Sequence, residues 1–185
     1  MQRELLNRRA FNAICAAITS FVTYSGQSVL GAAIGLAQTG PGRSVKFRDG
    51  TVVSALGQGS ARLAHGRRPQ AEEEEALRTG ISLGMTLIDT AESYGSEELI
   101  GRVIAGRRDR VFLVSKVSAN HVGGNGIARA CEASLTRLRT DWLDLYLLHW
   151  PNGNTDYAGL VTAFENLRSS GKIRGWGFQF QCQSA

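Results

Sequence analysis

Short apolar runs recur along the chain, and polar or amphipathic segments separate them. The runs begin roughly 25 to 35 residues apart, which is the length of one strand, one crossover helix and two loops. Two of the runs are nearly uninterrupted, as expected for strands buried on both faces of a parallel sheet. The chain is therefore predicted to be an α/β protein of four βα units and a fifth strand. The five predicted strands are Val52–Leu56, Met85–Ile88, Val111–Val114, Leu143–Leu148 and Ile173–Phe178.

Amphipathic segments between these runs predict the helices. Gly80, Gly84 and Gly171 mark predicted helix ends. The acidic run Glu72–Glu75 follows Pro69 at a predicted helix start, where negative charge complements the helix dipole. We predict that this run is solvated and is not a metal site. Two apolar helix faces are predicted, one formed by Ile127, Cys131, Ser134, Leu135 and Leu138, the other by Leu160, Val161, Phe164 and Leu167.

Repeated βα units build either an open doubly wound sheet or a closed barrel. An open sheet that binds a dinucleotide carries the pattern GxGxxG directly after its first strand. Here Leu56–Ser60 reads LGQGS, which lacks the third glycine and has no helix directly behind it. The sequence therefore favours a parallel (β/α) barrel of the TIM type.

Polar side chains follow three of the predicted strands. Asp89 and Tyr94 follow the second strand, Lys116 the third and His149 the fourth. The carboxyl ends of parallel strands share one rim, where barrels carry their chemistry. Taken singly, the four residues have structural interpretations: a helix cap, a packed phenol, a rim lysine and a core histidine.

Together the four side chains form a proton-transfer set. An ammonium group beside a phenol favours the phenolate, and a carboxylate offsets the cost of burying that ammonium. An imidazole at the same rim can orient a carbonyl oxygen. We therefore predict a catalytic site in which Tyr94 is the general acid and Asp89, Lys116 and His149 support it.

Composition excludes other function classes. The chain has 185 residues, of which 43% are hydrophobic and 20% charged, and its net charge is +5. No basic stripe is interleaved with aromatic residues, so nucleic-acid binding is not expected, and Arg67-Arg68 and Arg107-Arg108 are predicted to lie in solvated turns. Cys15, Cys131 and Cys182 are far apart, which predicts neither a disulfide framework nor a zinc site. Cys131 is assigned to packing.

The first 37 residues differ from the rest of the chain. Arg8-Arg9 precedes Phe11, and a weakly apolar run continues to about Ala37. This pattern resembles a twin-arginine export signal with a small-residue cleavage site at Gly35–Ala37. The run is too polar for a stable membrane span. We predict a signal over 1–37, export to the periplasm and a domain over 47–185; the alternatives are an unstructured or mistranslated extension and a cytoplasmic protein.

Four motifs are similar to those of the aldo-keto reductase family. Leu87–Gly95 reads LIDTAESYG and resembles the family's strand-two motif, and Asp141–Pro151 reads DWLDLYLLHWP and resembles its strand-four motif. Ser115-Lys116 is similar to the strand-three lysine site, and Gly171–Arg174 to the approach to strand five. The resemblance covers residues from Phe47 to Gly177.

The resemblance implies an enzyme that reduces aldehydes and ketones to alcohols with NADPH. It assigns proton donation to Tyr94, tuning of that donor to Lys116 and Asp89, and orientation of the carbonyl to His149. Trp150 is implied to wall the substrate pocket, and a packing role is its alternative. The sequence identifies neither the carbonyl substrate nor the choice between NADPH and NADH.

The resemblance ends after Gly177. The family continues with Val-Ser-Asn-Phe, whose serine and asparagine hold the nicotinamide carboxamide, whereas here Gln179 stands at the serine position and Phe180 at the asparagine position. Gln179 is therefore the candidate cofactor contact. Strands six to eight and their phosphate-binding loops do not follow, which predicts a chain truncated after its fifth strand.

This truncation predicts a chain that binds NADPH weakly and is impaired or inactive as an enzyme. The apolar edges of a partial barrel are expected to favour self-association. Two other functions remain open at this point: a non-catalytic remnant, and a protein-binding module on the same fold.

Overall fold

The computed structural model describes residues 43–151 and 155–179. Two short strands, β1 (Ser44–Lys46) and β2 (Val52–Ser54), form an antiparallel hairpin. Five strands then form a parallel sheet in chain order: β3 (Gly57–Gly59), β4 (Leu87–Asp89), β5 (Phe112–Ser118), β6 (Leu143–His149) and β7 (Ile173–Gln179). A helix follows each of β3 to β6: α1 (Gln70–Ser82), α2 (Glu97–Ile104), α3 (Gly126–Leu138) and α4 (Tyr157–Ser169).

The predicted architecture of four βα units and a fifth strand is confirmed. Within the described residues the sheet is not closed into a barrel, and β3 and β7 are its edges. Among the described connections, three contain a 3₁₀ turn, at Glu92–Tyr94, Arg108–Arg110 and Ala119–His121. The first of these directly follows β4 and carries a predicted site residue.

The core lies between the sheet and the helices. The predicted face of α3 is confirmed, because all five of its residues are buried. On α4 the prediction fails only at Val161, which is exposed, since a step of one residue from buried Leu160 turns the side chain about 100° around the helix. Burial raises the pKa of the Cys131 thiol to about 12, in keeping with packing as its role.

The first predicted strand is wrong in its pairing. Val52–Leu56 was expected to open the parallel sheet, but β2 pairs with β1, and the first parallel strand is Gly57–Gly59. Gly57 lies opposite Leu87, and a Cβ atom at Gly57 would meet Leu87 Cδ2 at 2.6 Å. Glycine permits this close approach of the two strands. A search for apolar runs does not detect the strand Gly57–Gly59, because two of its three residues carry no side chain.

The start of α1 is less solvated than predicted. Glu73 is buried, and its carboxylate accepts a hydrogen bond from the backbone N–H of Ala64 at 2.8 Å. Gly80 lies inside α1 instead of at its end. The Gln58 side chain occupies the space where a Cβ of residue 80 would stand, which accounts for a glycine at this position. Gly84, which follows the helix with φ +89°, takes the left-handed conformation that favours glycine after a helix end.

Arg108 is a further correction. Its guanidinium was expected in a solvated turn, but it donates to Asp144 at 2.9 Å and to the carbonyl of Trp142 at 3.0 Å. The signal predicted over 1–37, together with Cys15, Phe180 and Cys182, lies outside the described residues. Among the residues that are described, no helix is long and apolar enough to cross a membrane.

Candidate active site

The sheet brings the four predicted catalytic side chains to one rim. Asp89 is the last residue of β4, His149 is the last residue of β6, and Lys116 lies two residues before the end of β5. The register pairs Ser118 with His149 and Lys116 with Leu147, so the ends of β5 and β6 are level. The 3₁₀ turn after β4 ends at Tyr94, whose ring lies at the same rim, beside Lys116 and His149.

Lys116 and Asp89 form an ion pair in which the ammonium is buried and the carboxylate is partly exposed. Lys116 is only 3% exposed. Its ammonium donates to both carboxylate oxygens of Asp89, at 2.6 Å for Oδ2, and to the carbonyl oxygen of Thr90 at 2.9 Å. A lysine ammonium carries three donors, and all three have acceptors here. The cost of burying this charge is therefore offset by its own hydrogen bonds.

Tyr94 lies between this ammonium and the histidine. The Nζ atom of Lys116 is 4.9 Å from the centroid of the Tyr94 ring, within the range of a cation–π contact. The rings of Tyr94 and His149 meet edge to face, with centroids 5.5 Å apart and planes at 83°. The phenol, the ammonium and the imidazole are thus mutual neighbours at the rim.

His149 is buried and keeps one ring nitrogen unpaired. It is 7% exposed, its Nδ1 lies 3.5 Å from the Ser93 hydroxyl, and its Nε2 has no hydrogen-bond partner among the described residues. Burial lowers the pKa of His149 below its ordinary value of 6.5, and the nearby ammonium of Lys116 lowers it further, while Asp89 and Glu92 act in the opposite direction. At neutral pH the imidazole is therefore uncharged.

Trp150 packs beside this imidazole. The two ring centroids are 4.1 Å apart, with the planes tilted by 34°. Trp150 has a φ of +57°, a conformation that is uncommon for a bulky residue, and about half of it is exposed. The residue predicted to wall a pocket therefore lies at the rim, with one part against His149 and the remainder open to solvent.

A buried hydroxyl network, which sequence reasoning missed, supports the site from below. Ser60 donates to the carbonyl oxygen of Asp89 through both its backbone N–H and its hydroxyl, each at 3.0 Å. Ser96 donates to the Ser60 hydroxyl at 2.8 Å, and Thr90 lies 3.1 Å from Ser96. The three hydroxyl residues are fully buried. Single serines and threonines carry no sequence pattern, so only their proximity reveals the network.

Gln179 ends β7 and lies opposite His149 in the strand register. Its Oε1 atom is buried and has no hydrogen-bond partner within the described ranges. Neighbouring strand ends thus present one unpaired imidazole nitrogen and one unpaired amide oxygen. Buried polar atoms in proteins are normally paired, so each of these two atoms is a candidate contact for a polar group of a ligand.

Comparison with known proteins identifies the family of this chain. A family model described as the aldo/keto reductase family matches residues 55–181, which include every residue of the site described above. The chain belongs to this family. Its sequence is 46% identical to the methylglyoxal reductase YeaE of Escherichia coli over 138 residues, which is 73% of this chain and 48% of that protein.

Two further aldo-keto reductases are similar to this chain over part of their length. An aldo-keto reductase of Mycolicibacterium paratuberculosis is 40% identical over 111 residues, or 58% of this chain and 38% of that one. The structure of an aldo/keto reductase from Klebsiella pneumoniae in complex with NADP and acetate matches with a TM-score of 0.70 and 44% identity. That match covers 76% of this chain and 51% of the Klebsiella chain. The chain spans about half the length, or less, of these relatives.

Proposed function

We propose that this chain carries the proton-transfer half of an NADPH-dependent reductase that converts small aldehydes and ketones to alcohols. The observation that supports the proposal most directly is the position of the Lys116 ammonium, between the Asp89 carboxylate and the Tyr94 ring. An ion pair with one buried partner contributes little net stability, so stability alone does not account for a buried ammonium beside a phenol ring. A protein-binding module has no need of such a pair, which favours the enzyme.

In the proposed reaction Tyr94 donates its hydroxyl proton to the oxygen of the carbonyl group as that oxygen gains negative charge. The Lys116 ammonium stabilises the phenolate that remains, and Asp89 holds the ammonium in place. Neutral His149 donates from Nε2 to the carbonyl oxygen when the Ser93 hydroxyl occupies Nδ1. When bound, NADPH supplies the hydride that the carbonyl carbon receives.

The cofactor contact proposed for this chain is the Gln179 amide. The unpaired Oε1 atom accepts one N–H of a carboxamide, and it lies on the strand next to His149. The Klebsiella relative was solved with NADP, which supports this cofactor in preference to others. The E. coli relative is named for methylglyoxal, and we propose small 2-oxoaldehydes of that type as the first substrates to assay.

The activity is tested in a fusion of residues 1–179 to the carboxyl-terminal half of the E. coli relative. In this fusion we expect Tyr94→Phe to lower kcat for methylglyoxal by about 10²- to 10⁴-fold, because it removes the proton donor. Tyr157→Phe is the matched control, since it removes an exposed phenol hydroxyl on α4. Wild-type turnover in the Tyr94→Phe fusion would assign the acid to another group and refute the proposal.

We expect the 185-residue chain alone to bind NADPH weakly. Each charge-assisted contact to a phosphate contributes about 1.5–3 kcal/mol, and each 1.4 kcal/mol is about tenfold in affinity. A polypeptide of residues 1–185 spans about half the length of the E. coli relative, so it would bind without any contacts that the other half of such a protein supplies. Titration followed by nucleotide fluorescence measures the binding, with the fusion as reference. Saturation at micromolar NADPH would contradict the expectation and favour a site rebuilt by two copies.

We also propose self-association through the edge strands β3 and β7, which sedimentation velocity measures directly.

Export to the periplasm is a separate proposal that rests on Arg8-Arg9 and Phe11. Its test fuses residues 1–40 to a reporter and replaces both arginines with lysine. A reporter that stays in the cytoplasm with the native leader refutes export.

A further inference from the structure

Glu92 is the first residue of the 3₁₀ turn that ends at Tyr94, and its side chain points away from the turn toward β5. The Oε1 atom of Glu92 accepts a hydrogen bond from the backbone N–H of Ser118 at 2.6 Å. The same oxygen lies 3.0 Å from Nδ1 of His121, in the loop that follows β5. Ser118 is the last residue of β5, two residues after Lys116. One carboxylate oxygen therefore joins the turn of the proton donor to the strand of the ammonium.

The hydrogen bond between the Ser118 amide and the Glu92 carboxylate is short and largely shielded from solvent. The Glu92 side chain is 11% exposed, and a carboxylate at such a position is costly unless it is hydrogen-bonded. A short N–H···O bond to a carboxylate belongs to the stronger class of protein hydrogen bonds. His121, which is about half exposed, adds an ion pair when it is protonated, but that pair faces solvent and contributes less.

The other restraints on the turn are weaker. Its backbone has one internal hydrogen bond, from the N–H of Tyr94 to the carbonyl of Ala91 at 3.0 Å. The Nε2 atom of His65 lies 3.2 Å from the carbonyl oxygen of Tyr94, in a contact that is exposed to solvent. Gly95 follows immediately with a φ of +70°, so the chain turns sharply there. Neither of these two contacts reaches β5, and the long 3.5 Å contact of the Ser93 hydroxyl joins the turn to His149 on β6 instead.

We propose that Glu92 is a positioning residue whose hydrogen bond to the Ser118 amide holds the Tyr94 ring over Lys116 and against His149. The inference rests on the proposed function for the meaning of the Tyr94 position, but the position itself is measurable without activity. It also assigns a role to a residue that neither donates the proton nor contacts the reacting atoms.

The test uses the isotope-labelled 185-residue chain with Glu92→Ala, Glu92→Gln and, as matched control, Glu98→Ala. Glu98 is exposed on α2 and makes no side-chain hydrogen bond or ion pair within the described part of the chain. The readouts are the nuclear Overhauser contacts between the rings of Tyr94 and His149 and the chemical shift of the Ser118 amide proton. A loss of global stability alone leaves both signals unchanged in the folded population.

We expect Glu92→Ala to weaken the ring contact severalfold and to move the Ser118 amide proton upfield. Glu92→Gln should restore most of the contact, because its amide oxygen can still accept the Ser118 N–H, and Glu98→Ala should resemble the wild type. An unchanged ring contact in Glu92→Ala overturns the proposal, and so does a Glu92→Gln protein that matches Glu92→Ala.

A second measurement needs no variant and therefore applies even if Glu92→Ala fails to fold. In the wild-type chain, a scalar coupling across the hydrogen bond should connect the Ser118 amide nitrogen to the Glu92 carboxyl carbon. Absence of that coupling in a well-dispersed spectrum also overturns the proposal. Failure of the proposed function is a different result: it appears as full activity of the Tyr94→Phe fusion, whatever the ring contacts show.

Discussion

Both ends of the parallel sheet bury charged groups, but they treat the polar atoms differently. At the amino end, Asp144 accepts hydrogen bonds from Arg108 at 2.9 Å, from the backbone N–H of Leu113 at 2.8 Å and from Arg174 at 3.2 Å. The Trp142 ring contacts both guanidiniums, each 3.5 Å from its centroid. The carboxylate at this end is therefore fully engaged within the protein.

The carboxyl end pairs its ammonium but leaves other polar atoms unpaired. Lys116 is bound to Asp89, whose carboxylate side chain is 34% exposed. Nε2 of His149 and Oε1 of Gln179 have no partner in the described part of the chain. Satisfied buried networks rigidify a fold, whereas unpaired buried atoms need a further partner. The polar groups of the amino end are thus paired within the protein, whereas two atoms at the carboxyl end remain available to the ligand that we propose.

The largest expected effect is the loss of activity when the rim ammonium is removed. In the fusion with the E. coli relative we expect Lys116→Met to lower kcat by about 10²- to 10⁴-fold, because the phenolate of Tyr94 loses its stabilising charge. Steady-state assays with methylglyoxal measure it. Lys172→Met is the control, since Lys172 pairs with Glu132 at the protein surface. Wild-type turnover in the Lys116→Met fusion would show that the ammonium at the carboxyl end of the sheet is not needed for activity.

The next effect is on stability and concerns the amino end. We expect Asp144→Asn to lower the free energy of unfolding by about 3 kcal/mol, because Arg108 then keeps a buried charge without its partner. The figure is at the low end of the usual range, since Arg174 is 66% exposed and loses little. Urea unfolding of the 185-residue chain measures it.

Asp141→Asn is the control for this stability prediction, because Asp141 is exposed just before β6 and should leave the unfolding midpoint unchanged. The fusion with Asp144→Asn should keep the kcat of the parent fusion. A catalytic defect without a loss of stability would mean that the two ends of the sheet are not separated as described.

The smallest expected effect is a pH dependence contributed by His149. Its pKa is lowered in the folded state, chiefly by burial, so below pH 6.5 the unfolded chain binds the proton first. The free energy of unfolding should therefore fall as the pH drops from 6.5 toward the folded pKa. Urea unfolding at about pH 7.5 and about pH 5.5 should show a smaller fall for His149→Gln than for the wild type. An identical fall in both proteins would place the titrating group elsewhere.

The repeat of βα units was predictable from the sequence, and so was the gathering of Asp89, Tyr94, Lys116 and His149 at one rim. Apolar periodicity reports which segments are buried, and parallel strands necessarily bring their carboxyl ends together. The strand Gly57–Gly59 was not predictable in this way, because what identifies it is a close backbone approach to Leu87, far along the chain.

By itself, the sequence determined the order of the elements and the side chains available to the site, because both depend on local pattern and on chain direction. Only the tertiary structure decided how polar atoms pair. Glu73, Arg108 and Glu92 look alike in sequence, as charged residues in turns or at helix ends. Each is buried, or nearly so, against a partner outside its own turn or helix. Hydrogen bonding depends on distance and angle between atoms, and a sequence specifies neither until the chain has folded.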